Sequence, residues 1–405
     1  MVEPVGHQAQ ASSPAEKCGL SLFFPIRVLS LISNQTVMGA SKVVMEFCSQ
    51  ASHVGIECTP VCLVRGAGGT SEYAEALQEA GIRCERVVER GRFDPRGLMQ
   101  LAALIRKYRP DVIEAHGHRE AFYLLALQRL MRFKLVGYFH GWTEASCWTR
   151  EGSVLSAMIW RRSPLIITVC QDFKRRLCRL GVSASRVHVF HNGIDPDLNL
   201  AMPASADARR ELNVPPGIPL MAVIGRLSGE KGQANFLRAF ARVAERRSDV
   251  KAVIVGEGPD HPRLVDLARE LRLDSRVVFT GYQRDVRRYY EAADLLVVPS
   301  KSEGIPNVVL EAMLFGVPVV STRVGGIPEI IRDRWNGVLV PPEDPPELAR
   351  AIVEVITDKA LARRLARTAR EETLPKFAAR ERCSKIADFY RKITGWPFDN
   401  VVTEP

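Results

Sequence analysis

Short apolar segments alternate with helix-length amphipathic segments along most of the chain. In the first half the apolar segments are IRVLSLIS, ECTPVCLV, DVIEAH, KLVGYFH, LIITVC and RVHVF, beginning at Ile26. The alternation restarts after PPGIP at 215–219, with LMAVIG, KAVIVG, RVVFTG, DLLVVPS, VPVVST and GVLVP. Near-continuous apolar runs of this length are typical of parallel strands buried on both faces. The predicted fold class is therefore α/β, with two Rossmann-like doubly wound domains that face each other across a cleft.

The chain length supports this division, because 405 residues exceed what one hydrophobic core usually sustains. Residues 1–24 are predicted to be a disordered leader, 25–198 the N-terminal domain and 218–375 the C-terminal domain. The intervening segment, 199–217, is rich in Pro, Ala and Asp with little periodicity, which indicates a linker. The C-terminal helix and tail, 376–405, are predicted to pack back across the domains.

Cysteine usage and the N-terminal residues indicate the compartment. The nine cysteines include no C-x-x-C pair, which fits neither a disulfide framework nor a zinc site and favours a reducing compartment. The first two dozen residues lack the basic start and apolar core of a signal peptide. The longest apolar run is interrupted by Pro25 and Arg27. These features predict a cytoplasmic protein without a membrane-spanning segment.

Positive charge is concentrated in the stretch 129–190. Of the formal net charge of +10, this stretch holds eleven Lys/Arg against three acids, 11 − 3 = +8. An anionic membrane surface or a lipid diphosphate acceptor can dock on such a stretch. Its cations and aromatic residues include Arg161, Arg162, Lys174, Arg175, Arg176, Arg179, Trp160 and Phe173. A solvated helix face is an equally good interpretation, whereas no recognition motif supports nucleic acid as a partner.

The string EGIPNVVLE places Glu303 and Glu311 eight residues apart around a turn and a short apolar helix. A carboxylate among apolar neighbours, such as Glu311, costs roughly several kcal/mol unless something hydrogen-bonds it. The turn should expose free N–H groups and the positive end of the helix dipole, which suit an anion. It consists of Gly304, Ile305, Pro306 and Asn307. These features describe a sugar-nucleotide site, and a buried salt bridge is the alternative interpretation.

A second motif, GRLSGEKG, places Arg226 at a strand end and Lys231 at a helix start. At this spacing both cations can converge on one diphosphate, although isolated surface charges are the alternative. Ligands of open parallel sheets bind at the carboxyl ends of strands. The candidate positions cluster at such ends: Gly225, Gly256, Gly281, Ser300 to Asn307, Gly325 and Gly326.

Together these motifs resemble the GT-B glycosyltransferases of the retaining family 4, the glycosyl transferases group 1. GRLSGEKG, VIVGEGP, VVFTGYQRDV, EGIPNVVLE and VPVVSTRVGGIPEII occur in this order in the family, and the match covers the C-terminal domain. The resemblance implies that Glu311 binds the donor ribose, that Glu303 contacts the donor sugar, and that Arg226 with Lys231 binds the diphosphate. It also implies that the turn amides meet sugar and phosphate, and that 279–282 lies beside the base.

The N-terminal half resembles the family more loosely. VMGASKVVMEF matches a loop that usually carries a Gly-Gly pair near the donor phosphates; here Met38 replaces the first glycine and Gly39 keeps a close approach possible. The family histidine that matches His140 faces the donor sugar, and His116 and His118 are weaker acceptor-side candidates. Hydrogen-bonded structural histidines are the alternative for all three. The segment HNGID at 191–195 resembles a hinge segment, for which a structural role is predicted.

No metal site is predicted, because the only D-x-D string, at 195–197, does not follow an apolar strand. The sequence therefore predicts a metal-independent transferase that uses a UDP- or GDP-sugar and an acceptor hydroxyl; retention is implied by the resemblance alone. A glycan or lipid-linked acceptor of cell-surface polysaccharide, lipopolysaccharide or glycolipid synthesis is the favoured hypothesis, with peripheral binding to the inner membrane face. A GT-B sugar-nucleotide epimerase or hydrolase and a non-catalytic nucleotide-sugar-binding protein are the alternatives.

Overall fold

The computed structural model describes residues 25–33, 37, 39–66, 71–91, 94–141, 150–196 and 208–395. The first half forms one sheet in the order β3-β2-β1-β4-β5-β6-β7, with every pair parallel. Its elements are β1 (Ile26–Ile32), α1 (Ala40–Ala51), β2 (Ile56–Arg65), α2 (Glu72–Glu79), β3 (Glu85–Glu89), α3 (Pro95–Tyr108), β4 (Val112–Ala115), α4 (His118–Leu127), β5 (Lys134–Phe139), α5 (Arg150–Arg162), β6 (Leu165–Thr168), α6 (Gln171–Arg179) and β7 (Val187–Val189).

The second half forms another parallel sheet, in the order β10-β9-β8-β11-β12-β13. Its elements are α7 (Ala208–Glu211), β8 (Leu220–Ile224), α8 (Gln233–Arg246), β9 (Lys251–Val255), α9 (His261–Glu270), β10 (Val277–Phe279), α10 (Arg287–Ala292), β11 (Leu295–Val298), α11 (Asn307–Leu314), β12 (Val319–Thr322), α12 (Ile327–Ile330), β13 (Val338–Val340), α13 (Pro345–Thr357), α14 (Lys359–Thr368) and α15 (Ala379–Thr394). The strand order reverses between β1 and β4 and again between β8 and β11. These are the two positions at which doubly wound sheets bind ligands.

The predicted α/β fold with two Rossmann-like sheets is confirmed, and a strand is present at each predicted apolar segment. The prediction was incomplete at β3, an edge strand whose sequence ERVVE buries only alternate residues and therefore lacks a continuous apolar run. The predicted linker 199–217 contains the short helix α7, while 199–207 lies outside the described residues.

The last helix, α15, returns to the first half of the chain. Cys383 and Ile386 of α15 are buried in one cluster with Val28 of β1 and Phe47 of α1. The N-terminal core is thus completed by residues from the end of the chain. The predicted leader 1–24 and the end of the tail, 396–405, lie outside the described residues, and the exact domain boundaries stay a prediction. Within the described helices, none is both long and apolar enough to cross a bilayer.

Candidate active site

Two predicted site residues meet at the switch point of the second sheet. Lys231 follows β8 and Glu303 follows β11. The Lys231 Nζ atom lies 2.8 Å from Glu303 Oε1 and 2.9 Å from Oε2, and the Ser300 hydroxyl donates to Oε1 at 2.7 Å. Only 7% of Glu303 is exposed, so its charge is held by these donors. Two motifs that are distant in the sequence therefore form one polar centre.

The turn that begins at Glu303 is supported by the glycine pair after β12. Gly325 adopts a φ of +54°, and a Cβ atom there would lie 1.7 Å from the Glu303 carbonyl oxygen. The N–H of Gly326 donates to the same carbonyl at 3.3 Å. Only glycine combines this left-handed conformation with so close a backbone approach. The helix α11 begins at Asn307, as predicted, so its N-terminus lies directly after this turn.

Glu311, one turn into α11, is buried with 4% of its surface exposed. Its Oε1 forms an ion pair with Lys42 of α1, and its Oε2 accepts from the Tyr290 hydroxyl at 2.7 Å. The salt-bridge interpretation of this carboxylate thus describes the ligand-free protein, with the cation supplied by the other half of the chain. A carboxylate has about four lone-pair sites, so acceptor capacity remains for ribose hydroxyls. Lys42 was not predicted from the sequence, although its position three residues after Gly39 is a usable signal.

A second carboxylate, Glu46, lies one turn beyond Lys42 on α1 and is 6% exposed. Burial raises the pKa of Glu46 to about 7, against the opposing effects of Lys42 and Arg382. Burial lowers the pKa of Lys42, but the charges of Glu311 and Glu46 outweigh it and leave that pKa above its usual value. Lys42 therefore stays charged at neutral pH.

The HNGID segment contacts the turn directly. The Asn192 Nδ2 group donates to the Ile305 carbonyl at 2.8 Å and to Asn307 Oδ1 at 3.2 Å. A structural role for this segment was predicted, and Asn192 adds a direct contact with the candidate donor site. Further polar contacts between the two halves join Tyr282 to Glu72 and Arg284 to Glu79.

One expectation about the basic stretch is wrong. Trp160 and Phe173 are each only 2% exposed and pack with Phe139 in the core, so they cannot contribute to a surface with the neighbouring cations. Phe173 also packs against Gly304, where a Cβ atom would lie 3.0 Å from its ring. The spacing of aromatic and basic residues suggested a surface because it carries no information about which side faces the core. Arg176 is partly neutralised by Asp172, with 2.6 Å between Nε and Oδ2.

The predicted histidines line one cavity at the switch point of the first sheet. His116, His118 and His140 border a solvent-open cavity of about 80 Å³ together with Tyr138 and Trp160. His118 is exposed, whereas His116 is 9% exposed. The Nδ1 atom of His116 lies 2.9 Å from Nε2 of His140. The structure thus brings the strong and the weak histidine candidates together.

A buried carboxylate that the sequence analysis did not single out, Glu114, supports these histidines. Its Oε2 lies 3.0 Å from His116 Nε2, and its Oε1 accepts from the hydroxyl of Tyr390 in α15. Burial raises the pKa of Glu114, but the hydrogen bond and charge of His116 and the bond from Tyr390 outweigh it, so the pKa lies below its usual value. Burial lowers the pKa of His140 well below its usual value, and the electrostatic effects of His116 and Arg382 act in the same direction. His140 is therefore neutral at physiological pH.

The remaining predicted residues lie at strand ends but form fewer contacts. Arg226 is exposed, and its side chain forms no hydrogen bond or ion pair within the described part of the chain. Gly225 and Gly281 follow β8 and β10, and Gly39 immediately precedes α1. Met38 and Asp197 lie outside the described residues. The described residues contain no group of three or more His, Cys, Asp or Glu side chains placed to hold a metal ion, and the predicted metal independence stays a prediction.

Comparisons with known proteins identify the family. A model of the glycosyl transferases group 1 matches residues 205–372, and a model of Glycosyltransferase Family 4 matches residues 37–198. An uncharacterized glycosyltransferase of Methanocaldococcus jannaschii is 30% identical over 280 residues, which is 66% of this chain and 72% of the relative. The chain belongs to the GT-B glycosyltransferases of family 4. Its enzyme class, glycosyltransferase, follows from this membership.

Other relatives of this family-4 glycosyltransferase differ in the acceptor that they are named for. N-acetyl-alpha-D-glucosaminyl L-malate synthase of Bacillus anthracis is 25% identical over 299 residues, 73% of this chain and 77% of the relative. A lipopolysaccharide core biosynthesis glycosyltransferase of Rhizobium meliloti is 35% identical over 170 residues, 42% of this chain and 49% of the relative. The crystal structure of HepE of Anabaena with UDP and glucose has a TM-score of 0.80 at 22% identity and covers 91% of this chain and 100% of its own. This similarity supports the GT-B fold.

Proposed function

We propose that this glycosyltransferase moves a sugar from a nucleotide sugar to an acceptor hydroxyl, with retention at the anomeric carbon and without a metal ion. The observation that carries the proposal is the meeting of Lys231 and Glu303 at the β8/β11 switch point, beside the N-terminus of α11. Doubly wound sheets bind nucleotides at this position. The HepE structures with UDP and with UDP-glucose support a nucleotide-sugar donor, either UDP- or GDP-linked.

In the proposed complex the donor diphosphate takes the place of the Glu303 carboxylate at Lys231. Lys231 and Arg226 then stabilise the negative charge that grows on the leaving nucleoside diphosphate, together with the positive end of the α11 dipole. Glu303 is released to accept hydrogen bonds from sugar hydroxyls, and Glu311 accepts from the ribose. These four side chains, Arg226, Lys231, Glu303 and Glu311, would bind the donor and stabilise the charge on the leaving group. None of them would need to bind a metal ion.

His140 is proposed to contact a sugar hydroxyl near the anomeric carbon. Because its lowered pKa keeps it neutral, it can form this hydrogen bond without placing a positive charge beside the positive charge that develops on the sugar. The acceptor hydroxyl would attack from the face that the diphosphate leaves. Its proton would pass to the departing phosphate oxygen, so the new C–O bond retains the anomeric configuration.

For the acceptor we propose a glycan or lipid-linked molecule of cell-surface polysaccharide, lipopolysaccharide or glycolipid synthesis, with the N-terminal half on an anionic membrane surface. The relative from Rhizobium meliloti supports the lipopolysaccharide hypothesis. Helix α4 contacts α3 and α5, and exposed apolar side chains lie on or beside these three helices. They are Met99, Phe122, Leu130, Val154, Leu155 and Met158. An amphipathic surface of this kind, next to exposed Arg129, Arg132 and Arg162, suits an anionic bilayer.

Nucleotide binding tests the donor part of the proposal. Thermal shift and calorimetry would compare wild type with Glu311→Gln against UDP, GDP, ADP and their sugar conjugates, with and without EDTA, since stabilisation grows with ligand concentration over Kd. One nucleotide should stabilise wild type equally with EDTA and should lose at least about tenfold in affinity, or about 1.4 kcal/mol, in Glu311→Gln. Glu270→Gln, at an exposed position on α9, is the matched control. Folded protein that binds no nucleotide would overturn the donor assignment.

Product analysis and vesicle binding test the other parts. NMR of the glycosylated product should show the anomeric configuration of the donor, and an inverted product would overturn retention. Vesicle flotation should show stronger binding to anionic than to neutral vesicles and loss of binding in Leu155→Ser/Met158→Ser. Equal, weak flotation with both vesicle types would remove the membrane part of the proposal.

A further inference from the structure

A second cavity, which we call the hinge pocket, lies between the segment after β7 and the segment that leads into α15. It is solvent-open, has a cavity volume of about 110 Å³ and shares no lining residue with the histidine cavity. This volume is below the roughly 300–1,000 Å³ of pockets for drug-sized ligands, so it suits a small group. Polar residues from both segments line the hinge pocket: His191, Asn192, Lys376, Arg382 and Lys385. It is therefore large enough for a small anionic group and polar enough to bind one.

The charge of the hinge pocket is positive. Three cations line it, and no acidic residue appears among its described lining residues. Lys376 and Lys385 are exposed, so they can approach a ligand at little desolvation cost, and Lys385 would exchange its ion pair with Glu381 (2.9 Å) for one with the ligand. Arg382, by contrast, is only 9% exposed. This arrangement, in which a buried guanidinium lies behind two exposed ammonium groups, favours an anion.

Arg382 itself lacks a partner among the described residues. Its guanidinium forms no hydrogen bond or ion pair with any residue that the structure describes, and its Nε atom is fully buried without an acceptor. The charge of Arg382 lowers the pKa of Glu46 across the α1/α15 contact, so the two groups attract each other, but no ion pair is formed between them. A buried N–H without an acceptor costs about 1–3 kcal/mol. Such a group is expected where a ligand supplies the missing acceptor.

Two further features indicate what this ligand carries. The orientation of the Asn192 amide follows from its hydrogen bond to Ile305, because only Nδ2 can donate to a carbonyl. Its Oδ1 atom is consequently the free end, and it is buried without a donor. Asn192 lines the pocket, so a small displacement of its side chain would let a ligand hydroxyl supply that donor. The helix α15, of 16 residues, begins at Ala379 without a side-chain N-cap, and Ala378 lines the pocket. The Ala379 N–H donates to the Ile194 carbonyl at 3.0 Å, so only the next N–H groups and the positive end of the dipole add to the attraction for an anion.

We propose that the hinge pocket binds a small hydroxylated anion, such as a phosphorylated or carboxylated polyol. The anionic group would contact Arg382, with Lys376 and Lys385 at the entrance, and a hydroxyl of the ligand would donate to Asn192 Oδ1. Because Asn192 also contacts Ile305 in the candidate donor site, a ligand here lies next to the transfer reaction. It would act there either as the acceptor substrate or as a regulator. The site itself does not depend on the proposed donor site.

Anion binding to the full-length protein tests the proposal. The probes are inorganic phosphate, sn-glycerol 3-phosphate and, as the uncharged comparison, glycerol, with thermal shift and calorimetry as the measurements. Both anions should stabilise wild type, glycerol 3-phosphate more strongly than phosphate, and glycerol should have no effect. Arg382→Met should lose at least tenfold in affinity for both anions. Arg380→Met, on the same helix but at an exposed position outside the pocket, should bind them as wild type does.

Three further measurements keep the result interpretable. Lys231→Met removes the proposed diphosphate site and should keep the anion binding, which separates a failure of the hinge pocket from a failure of the donor site. Without ligand, Arg382→Met should be about as stable as wild type, because it removes a buried Nε–H without an acceptor and also a charge that favours ionised Glu46. Lys385→Met should weaken binding severalfold and provides a second variant at an exposed position. Equal anion binding in wild type and Arg382→Met, or loss of binding in Lys231→Met alone, would overturn the proposal.

Turnover measurements distinguish a ligand that is the acceptor substrate from one that is a regulator. If glycerol 3-phosphate or a larger polyol phosphate becomes glycosylated in the presence of the donor, the anion belongs to the acceptor. If it is not consumed but changes kcat or KM, it is a regulator, and this effect should be absent in Arg382→Met. If the anion binds to wild type but changes the turnover of wild type and of Arg382→Met to the same extent, the assignment of the site is wrong.

Discussion

Replacing Glu46 with glutamine should remove a destabilisation that increases with pH. Burial raises the pKa of Glu46 to about 7 from the usual 4.5, a difference of 7 − 4.5 = 2.5 units, while Lys42 and Arg382 lower it and Glu311 and Asp195 raise it. At about 1.36 kcal/mol per unit this difference corresponds to roughly 3 kcal/mol. Because the folded pKa lies above the unfolded one, the unfolded chain loses this proton first as pH rises. The wild type should therefore lose this stability between about pH 4.5 and about pH 7.

Urea denaturation of wild type and Glu46→Gln at about pH 5 and about pH 8, at constant ionic strength, measures the effect. Other titrating groups contribute to both proteins and cancel in the difference. In the unfolding transition of the N-terminal half, the free energy of unfolding of Glu46→Gln should exceed that of wild type. This difference should be roughly 2 to 3 kcal/mol larger at the higher pH than at the lower pH. Glu57→Gln, at an exposed position on β2, should show no such growth. If the difference between wild type and Glu46→Gln is the same at both pH values, Glu46 ionises normally and its assigned environment is wrong.

Three further substitutions test other contacts. Lys42→Met leaves the buried Glu311 without its cation, so the donor KM should rise about tenfold, or about 1.4 kcal/mol, with little change in kcat. Glu114→Gln should lower the free energy of unfolding by about 2 to 4 kcal/mol at neutral pH, because several donors lose a charged acceptor. Since the folded pKa of Glu114 is depressed, this deficit should shrink in urea denaturation as the pH falls below the usual Glu range. Gly325→Ala should cost at least about 2 kcal/mol and abolish activity, because its Cβ would overlap the Glu303 carbonyl.

Matched variants separate these effects from general damage. Arg284→Met removes an exposed ion pair between the two halves and should change the donor KM far less than Lys42→Met. An equal effect of both would show that Lys42 acts only by holding the halves together. Gly217→Ala has a similarly positive φ of 81° but no atom within 4 Å of the added Cβ, so it should cost only about 1 kcal/mol. If Gly325→Ala costs no more than Gly217→Ala, the close approach to Glu303 is not rigid.

The candidate donor site was largely predictable from sequence, since its residues follow strands whose apolar runs are easy to recognise. In an open parallel sheet the carboxyl ends of neighbouring strands meet, so Lys231 after β8 and Glu303 after β11 are brought together by topology. The partners of these residues were not predictable. Lys42 and Tyr290 reach Glu311 only because helices from different parts of the chain pack around it, and no local pattern encodes that packing.

The sequence by itself determined the two doubly wound sheets, the strand-end clusters and the family. Each depends on local hydrophobic periodicity or on contiguous motifs, which can be recognised in the sequence without knowing how helices and strands pack. Tertiary structure alone decided which side chains are buried, as the misjudged Trp160 and Phe173 illustrate. It also decided which charges are paired. From the sequence alone, Arg382 is expected to be a surface cation. Only the return of α15 to the first half of the chain buries its side chain, without a partner among the described residues. Burial and pairing depend on contacts between residues far apart in the chain, and these arise only when the whole chain folds.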